Sequence, residues 1–434
     1  MRRSAFKPPA ICAPAAPPKR GWLGKIGPGL ITGASDDDPS GIATYSQVGS
    51  QFGLGMLWTM LFSYPLMGGI QEISARVGLV TGRGLAGNLR KHFPRGILHG
   101  VVALLLLANT INIGADIGAM AAALHLVVGG PLLAYTIGFG LLCAALQVFI
   151  SYHRYVPYLK WLCLALLAYI GILFVVKIPW AGVLKATLLP HLRFTRTSLT
   201  AIVAILGTTI SPYLFFWQAS EEVEEQRANP AESPLKKAPN QGDQQLGRMQ
   251  SDTWIGMAAS NLVAFFIILT AAIALHAHGI RDIRTSTQAA QALRPVAGRF
   301  AFLLFSLGVI GTGLLAVPVL AGSSAYAVGE SRRWSVGLEK APLAAWRFYT
   351  VITVSTLVGI LLNVIHLDPV RALFWSAVVN GVVAAPIMVM IMLLASRRKV
   401  MGTFRLSLRL KILGWTATLV MAAAAVAMFA TMGR

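Results

Sequence analysis

Three consecutive aspartates, Asp36, Asp37 and Asp38, stand inside an apolar stretch and are followed at once by Pro39. One carboxylate at membrane depth costs at least ~2.5 kcal/mol, so three in a row cannot all face hydrocarbon and must meet water or a cation. Proline removes a backbone donor and clashes with the preceding turn, which frees carbonyl oxygens beside the acids. Asp38, adjoining the proline, is best placed to hold an ion together with such carbonyls. Asp36 and Asp37 also fit a second reading, acids in an aqueous vestibule at a helix start. A second polar stripe, Asn109, Asn112 and Asp116, is spaced i, i+3 and i+7 and so lies on one helical face. A buried Asp116 needs a cation, a proton or donors, whereas the two asparagines fit hydrogen-bonded contacts between helices.

Other polar residues carry weaker signals. Glu72 and Arg76 have the i, i+4 spacing of an ordinary helical ion pair. Glu221, Glu222, Glu224 and Glu225 could attract exiting cations, but read more simply as a solvated helix end. Asn380 is a further candidate for the ion site. His125, His276 and His278 show no metal-ligand spacing, and Cys12, Cys143 and Cys163 have neither disulfide nor zinc spacing. Neither a phosphate-binding GxxxxGK[ST] loop nor a dinucleotide fingerprint is present, which argues against an ATP-driven pump within this chain. No nucleophile, base and orienting acid can be assembled, so a membrane-embedded enzyme is the weaker reading and no cofactor is expected.

The elements that must position these residues are membrane helices. Of the 434 residues 56% are hydrophobic and 12% charged, a composition that a soluble domain of this size does not tolerate. Stretches of about 20 apolar residues, the length a bilayer requires, recur at 27–49, 54–77, 98–127, 131–150, 156–176, 198–220, 253–275, 300–328, 345–364, 370–395 and 409–431. The fold class expected is an all-α integral membrane protein of about eleven spans. Residues 1–26 read as a disordered basic tail and 221–252 as a mobile cytoplasmic loop, because neither has a hydrophobic period. The net charge of +21 does not imply nucleic acid, since the basic residues lie between apolar spans. With the amino terminus placed in the cytoplasm, 27 of the 37 Lys and Arg fall on inward segments. That bias sets the amino terminus inside, the carboxyl terminus outside, and a plasma membrane, bacterial inner membrane, as the location. The remaining excess charge suits anionic lipid.

Two spans should be broken. The first contains ASDDDPSG and the sixth GTTISPYL, each with small polar residues around a proline. The second lies five spans after the first, an odd offset that inverts the second unit. Paired interrupted helices in inverted repeats point to a secondary transporter with its site at the midplane. The two repeats would cover about 27–176 and 198–395, with an extra helix at 409–431.

The stretches GPGLITGASDDDPSGIATYSQVGSQFG, INIGADIGAMAAALHLVVGGPL, ILGTTISPYLFFWQAS and NGVVAAPIMVMIMLLASRRKVMG resemble helices one, three, six and ten of the natural resistance-associated macrophage protein (Nramp) metal transporters. The resemblance implies two inverted five-helix repeats and transport of a divalent metal. It also locates departures. The family's Asp-Pro-Gly-Asn stands here as Asp38, Pro39, Ser40 and Gly41, so the carboxylate stays and the amide is lost. Its Met-Pro-His stands as Ser211, Pro212 and Tyr213, so thioether and imidazole are both gone. The residue that offers a backbone carbonyl falls on Thr208, and a titratable glutamate of the third helix falls on Ala119. The implied site is Asp38 with the Thr208 carbonyl, assisted by Asp37, Ser211 and Asn380, in a branch similar to the Nramp-related magnesium transporters. Oxygen ligands without a thioether imply Mn²⁺ or Mg²⁺, and Tyr213 in place of histidine implies weak or absent proton coupling. The alternative is a proton-coupled Mn²⁺ or Fe²⁺ symporter that uses Asp116.

Overall fold

A computed structural model describes residues 28–150, 164–192, 194–283, 285–365 and 368–432. The tail at 1–26, Cys12, Cys163 and most of the first half of the expected fifth span lie outside the described residues.

The first span is divided as its sequence dictates, into α1 (Pro28–Asp36) and α2 (Pro39–Phe52). Asp38 is the N-cap of α2, in extended conformation, its side chain accepting from the Gly41 N–H, and Pro39 follows at the first helical position. Next come α3 (Trp58–Thr81), the short α4 (Leu85–His92), α5 (Arg95–Val128) and α6 (Leu132–Phe149). The described part of the fifth span is a 3-10 segment, Leu164–Tyr169, and one turn, Ile172–Val175, before α7 (Trp180–Leu188). The sixth span is broken again, into α8 (Arg196–Thr209) and α9 (Pro212–Ala228), with Ser211 extended at the break and Pro212 opening the second half. The chain continues through α10 (Gly242–Ala274), α11 (Ala301–Arg332), α12 (Trp346–Leu362), α13 (Pro369–Ala395) and α14 (Leu408–Met432). There is no strand among the described residues.

Seven helical stretches among these residues are long and apolar enough to cross a bilayer, counting α8 with α9 as one. The first span falls short because its three aspartates and small polar residues lower its hydropathy, and α12 because it has 17 residues. Large apolar side chains point outward along the helices, among them Leu107, Leu141 and Val426, each more than half exposed, as expected of a surface that faces lipid tails. Inside, α5 packs along α11, α1 and α2 along α10, and α8 along α13.

The connection from Glu221 to Asp252 departs from its expected form. Helix α9 continues to Ala228 and α10 begins at Gly242, leaving only 229–241 between them. This remainder is tied down: the Leu235 and Lys236 amides donate to the Leu79 and Val80 carbonyls at 3.1 Å each, and Gln226 Nε2 donates to the Ser233 carbonyl at 3.1 Å. Arg248 pairs with Glu232 at 2.8 Å. The segment has no apolar period because hydrogen bonds and ion pairs to distant residues order it, and those leave no trace in local hydropathy. The glutamates are corrected likewise. Glu221, Glu222 and Glu224 are 4%, 1% and 7% exposed. Tyr326 Oη reaches Glu224 at 2.7 Å and Glu221 at 3.2 Å, and the Leu338 N–H donates to Glu224.

Candidate functional site

The two breaks meet in the interior. Tyr213, the second residue of α9, donates its hydroxyl to the Ser35 carbonyl near the end of α1 at 3.0 Å. Gly41, in the first turn of α2, lies against α8: a Cβ built there would come within 3.1 Å of Thr208 Oγ1 and 3.3 Å of Tyr45 Cε2. The backbone of α8 itself touches α13, since a Cβ on Gly207 would clash with the Ala377 carbonyl and the Gly381 amide. This approach brings Asn380, the neighbour of Gly381, to the same level as Thr208.

Asp38 is 2% exposed and its carboxylate is held from three sides. Oδ1 accepts from Ser40 Oγ at 2.6 Å and from the Gly41 N–H at 2.7 Å. Oδ2 accepts from Asn112 Nδ2 at 2.9 Å. The donors and the N-terminus of α2 compensate part of the cost of burying a carboxylate. Asp36 and Asp37 turn elsewhere: Ser260 Oγ on α10 lies 2.6 Å from Asp36 Oδ2 and 3.1 Å from Asp37 Oδ1. Ser211 spends its hydroxyl on the open end of α8, at 2.9 Å from both the Gly207 and Thr208 carbonyls.

Around this centre several buried polar atoms make no well-formed hydrogen bond to a described residue: Asn112 Oδ1, both amide atoms of Asn380, both oxygens of Asp116, and Thr208 Oγ1 and Tyr45 Oη, which face each other. Buried groups are normally satisfied, so a cluster of orphans beside one carboxylate marks a place built for something polar. Asp116 is fully buried, close enough to Asp38 for the two carboxylates to repel and near the Ser40 N–H. Asn109 is used differently, its amide donating to the Leu320 carbonyl at 3.0 Å and reaching Ser323 Oγ at 2.8 Å on α11.

The structure thus gathers Asp38, Gly41, Asn112, Thr208 and Tyr213 at the breaks, with Asn380 on the helix packed against them, and places Asp37 with Asp36 at Ser260. No three His, Cys, Asp or Glu side chains converge as a metal cluster among the described residues. An ion here would meet one or two carboxylates and several neutral oxygens. His276 Nδ1 lies 2.7 Å from the Ser50 carbonyl and His125 Nδ1 2.8 Å from the Gly130 carbonyl, both structural contacts. Cys143 is a free, buried thiol. Glu72 pairs with Arg76 at 2.9 Å and also accepts from Gln250 and Trp254, which ties α3 to α10. Tyr45 and Ser260 escape a sequence reading. Tyr45 had one available signal, its position one turn beyond Gly41 on the same helix face; Ser260 is only one small polar residue in an apolar span.

The family model described as natural resistance-associated macrophage protein-like matches residues 29–431. The divalent metal cation transporter MntH of Burkholderia ambifaria is 27% identical over 406 residues, 91% of this chain and 86% of that protein. Among solved structures, a mutant of the manganese transporter of Eremococcus coleocola superposes with a TM-score of 0.75 at 17% identity, covering 95% of this chain and 88% of that one. The fold likeness extends to MhsT bound to L-phenylalanine, with a TM-score of 0.57 at 15% identity over 95% of this chain and 98% of that one.

Proposed function

The chain belongs to the Nramp family of membrane transporters, and from that premise we propose that it carries a divalent metal ion, Mn²⁺ or Mg²⁺, across the plasma membrane by alternating access. Asp38 is the principal ligand in this reading. The observation that carries it is the buried Asp38 carboxylate between two broken helices, ringed by oxygens of Thr208, Asn112, Asn380 and Tyr45 that make no well-formed hydrogen bond to a described residue. Carboxylate, amide and hydroxyl oxygens are hard ligands that suit Mg²⁺ and Mn²⁺. The Thr208 carbonyl joins them when Ser211 releases it. Asp37 and Ser211 stand behind this set, and Gly41 and Tyr213 shape its walls. The metal is cargo here, and import is the direction proposed. The test is divalent-ion uptake by the purified protein in liposomes, against the Asp38→Asn variant.

Tyr45 gives a second check on the site. Its hydroxyl is buried facing Thr208 without a well-formed hydrogen bond, so Tyr45→Phe removes at most a weak contact and should change thermal stability by no more than about 1 kcal/mol. If the hydroxyl serves the hydrated ion, the half-saturating Mn²⁺ concentration should rise several-fold while maximal uptake changes little. An unaltered concentration dependence would remove Tyr45 from the site.

Proton coupling should be weak. Coupling needs groups that change protonation within reach of the metal charge; Tyr213 replaces an imidazole, its hydroxyl is committed to the Ser35 carbonyl, and Ala119 cannot titrate. Manganese added outside liposomes that contain a pH-sensitive dye should therefore enter with little interior acidification. The reading of a proton-coupled symporter is favoured by one observation, the fully buried Asp116, which no described side chain pairs. Metal-dependent acidification that vanishes in Asp116→Asn would establish it instead.

A further inference from the structure

At the end of the molecule where α2 finishes and α8 and α13 begin lies a cavity of about 390 Å³, and beside it a second of about 470 Å³. The two share Gln51 and Thr197 in their walls. For a cation route the charges are inverted. Arg196 and Arg371 line the first cavity and Arg281 the second, against a single carboxylate, Asp282. None of the three guanidinium groups makes an ion pair with a described residue. Arg196 and Arg371 also sit in the first turns of α8 and α13, where the helix dipoles add positive potential. In the wall of the second cavity, Ser198 is 1% exposed and its hydroxyl has no partner.

The place of these cavities gives the charge its meaning. The buried side chains of Gln47 and Thr200 line the first. Gln47 lies nine residues along from Asp38 on α2, and Thr200 eight residues before Thr208 on α8. At 1.5 Å per residue both are roughly 12–14 Å from the breaks. The vestibule thus stands over the metal site, between the same two half-helices, and its field repels a bare divalent cation while attracting anions.

We propose that this vestibule binds a small organic polycarboxylate and receives the metal as its carboxylate chelate, a reading that rests on the metal transport proposed above. Guanidinium groups recognise carboxylates through paired N–H donors. Arg196 and Arg371, in no ion pair with a described residue, supply such forks, and Thr197 and Ser198 offer further hydroxyls. Val370, Phe374, Trp375 and Ile283 form an apolar side that accommodates a carbon skeleton and gives nothing to inorganic phosphate. Once the arginines hold the carboxylates, the metal is released toward the deeper oxygens and the anion stays behind.

Two measurements test this. In isothermal titration without metal, citrate should bind the purified full chain saturably, and inorganic phosphate at least about tenfold more weakly. Binding should fall at least about tenfold in Arg196→Gln/Arg371→Gln, a variant whose folding is checked by its thermal unfolding. Absence of saturable citrate binding, equal binding of phosphate, or binding unchanged in the variant would overturn the proposal. In proteoliposomes with free Mn²⁺ clamped, added citrate should raise Mn²⁺ flux several-fold in the native chain and not in the variant; flux set by free Mn²⁺ alone would overturn delivery as a chelate. If citrate binds as stated but no divalent ion is carried under any condition, the proposed function fails and the anion site stands.

Discussion

Asp38→Asn should abolish divalent-ion uptake while leaving the protein folded. Asparagine caps helices as well as aspartate does, so its carbonyl oxygen can still accept from Ser40 Oγ and the Gly41 N–H, bonds of 2.6 and 2.7 Å in the native chain. On the other side the new amide would face Asn112 Nδ2, which now donates to Asp38 at 2.9 Å. Asn112 can rotate its amide and accept instead, because its Oδ1 has no partner. The substitution therefore removes a charge and little else, and the change in stability should stay within about 1 kcal/mol. Losing groups that merely orient a metal ligand costs 10–100-fold; losing the ligand itself should cost at least about 100-fold in uptake, about 2.7 kcal/mol. Thermal unfolding of the variant and initial rates of Mn²⁺ and Mg²⁺ uptake in liposomes check both halves. Wild-type uptake by a folded variant would mean that the ion does not bind at the break in the first span.

How much of this could be read from the sequence depends on whether the cause is local. Both helix breaks can be, since the proline at each acts on its own turn: Pro39 and Pro212 each open a second half-helix, with Asp38 capping its own and Ser211 standing extended at the other break. The polar face of α5 can be read from spacing alone, but its division of labour cannot. Asn109 serves α11 and Asn112 serves Asp38 because of where two other helices lie. The buried glutamates of α9 look solvent-facing in sequence, since the groups that receive them, Tyr326 and the Leu338 amide, come about a hundred residues later. The same holds for Asp36 and Asp37, whose partner Ser260 is more than two hundred residues away.

Ser211→Met should turn the site toward soft ions, and the structure gives that expectation a second cause besides the added sulfur. In the native chain the Ser211 hydroxyl is 2.9 Å from the Gly207 and Thr208 carbonyls, so the Thr208 oxygen that could bind metal is engaged by a donor. Methionine has no such donor. The substitution frees the carbonyl at the open end of α8 and offers a thioether next to it, and a thioether prefers Cd²⁺ over Mg²⁺. The cost is steric as well as polar: Ser211 is 2% exposed, and a longer side chain must find room beside Asp38. Overpacking of this kind costs about 1–3 kcal/mol where nothing yields. Some stability should accordingly be lost, which thermal unfolding will register, but the selectivity change is read as a ratio within one protein sample and does not depend on the amount folded. The Cd²⁺ to Mg²⁺ uptake ratio should rise at least about tenfold, about 1.4 kcal/mol of altered preference. Ser211→Ala separates the two causes, since it frees the carbonyl without supplying sulfur and should improve uptake of Mn²⁺ and Mg²⁺ with little gain for Cd²⁺. A ratio unchanged by methionine would place the ion away from the α8 break and leave Asp38 to bind it with α5 and α13 alone.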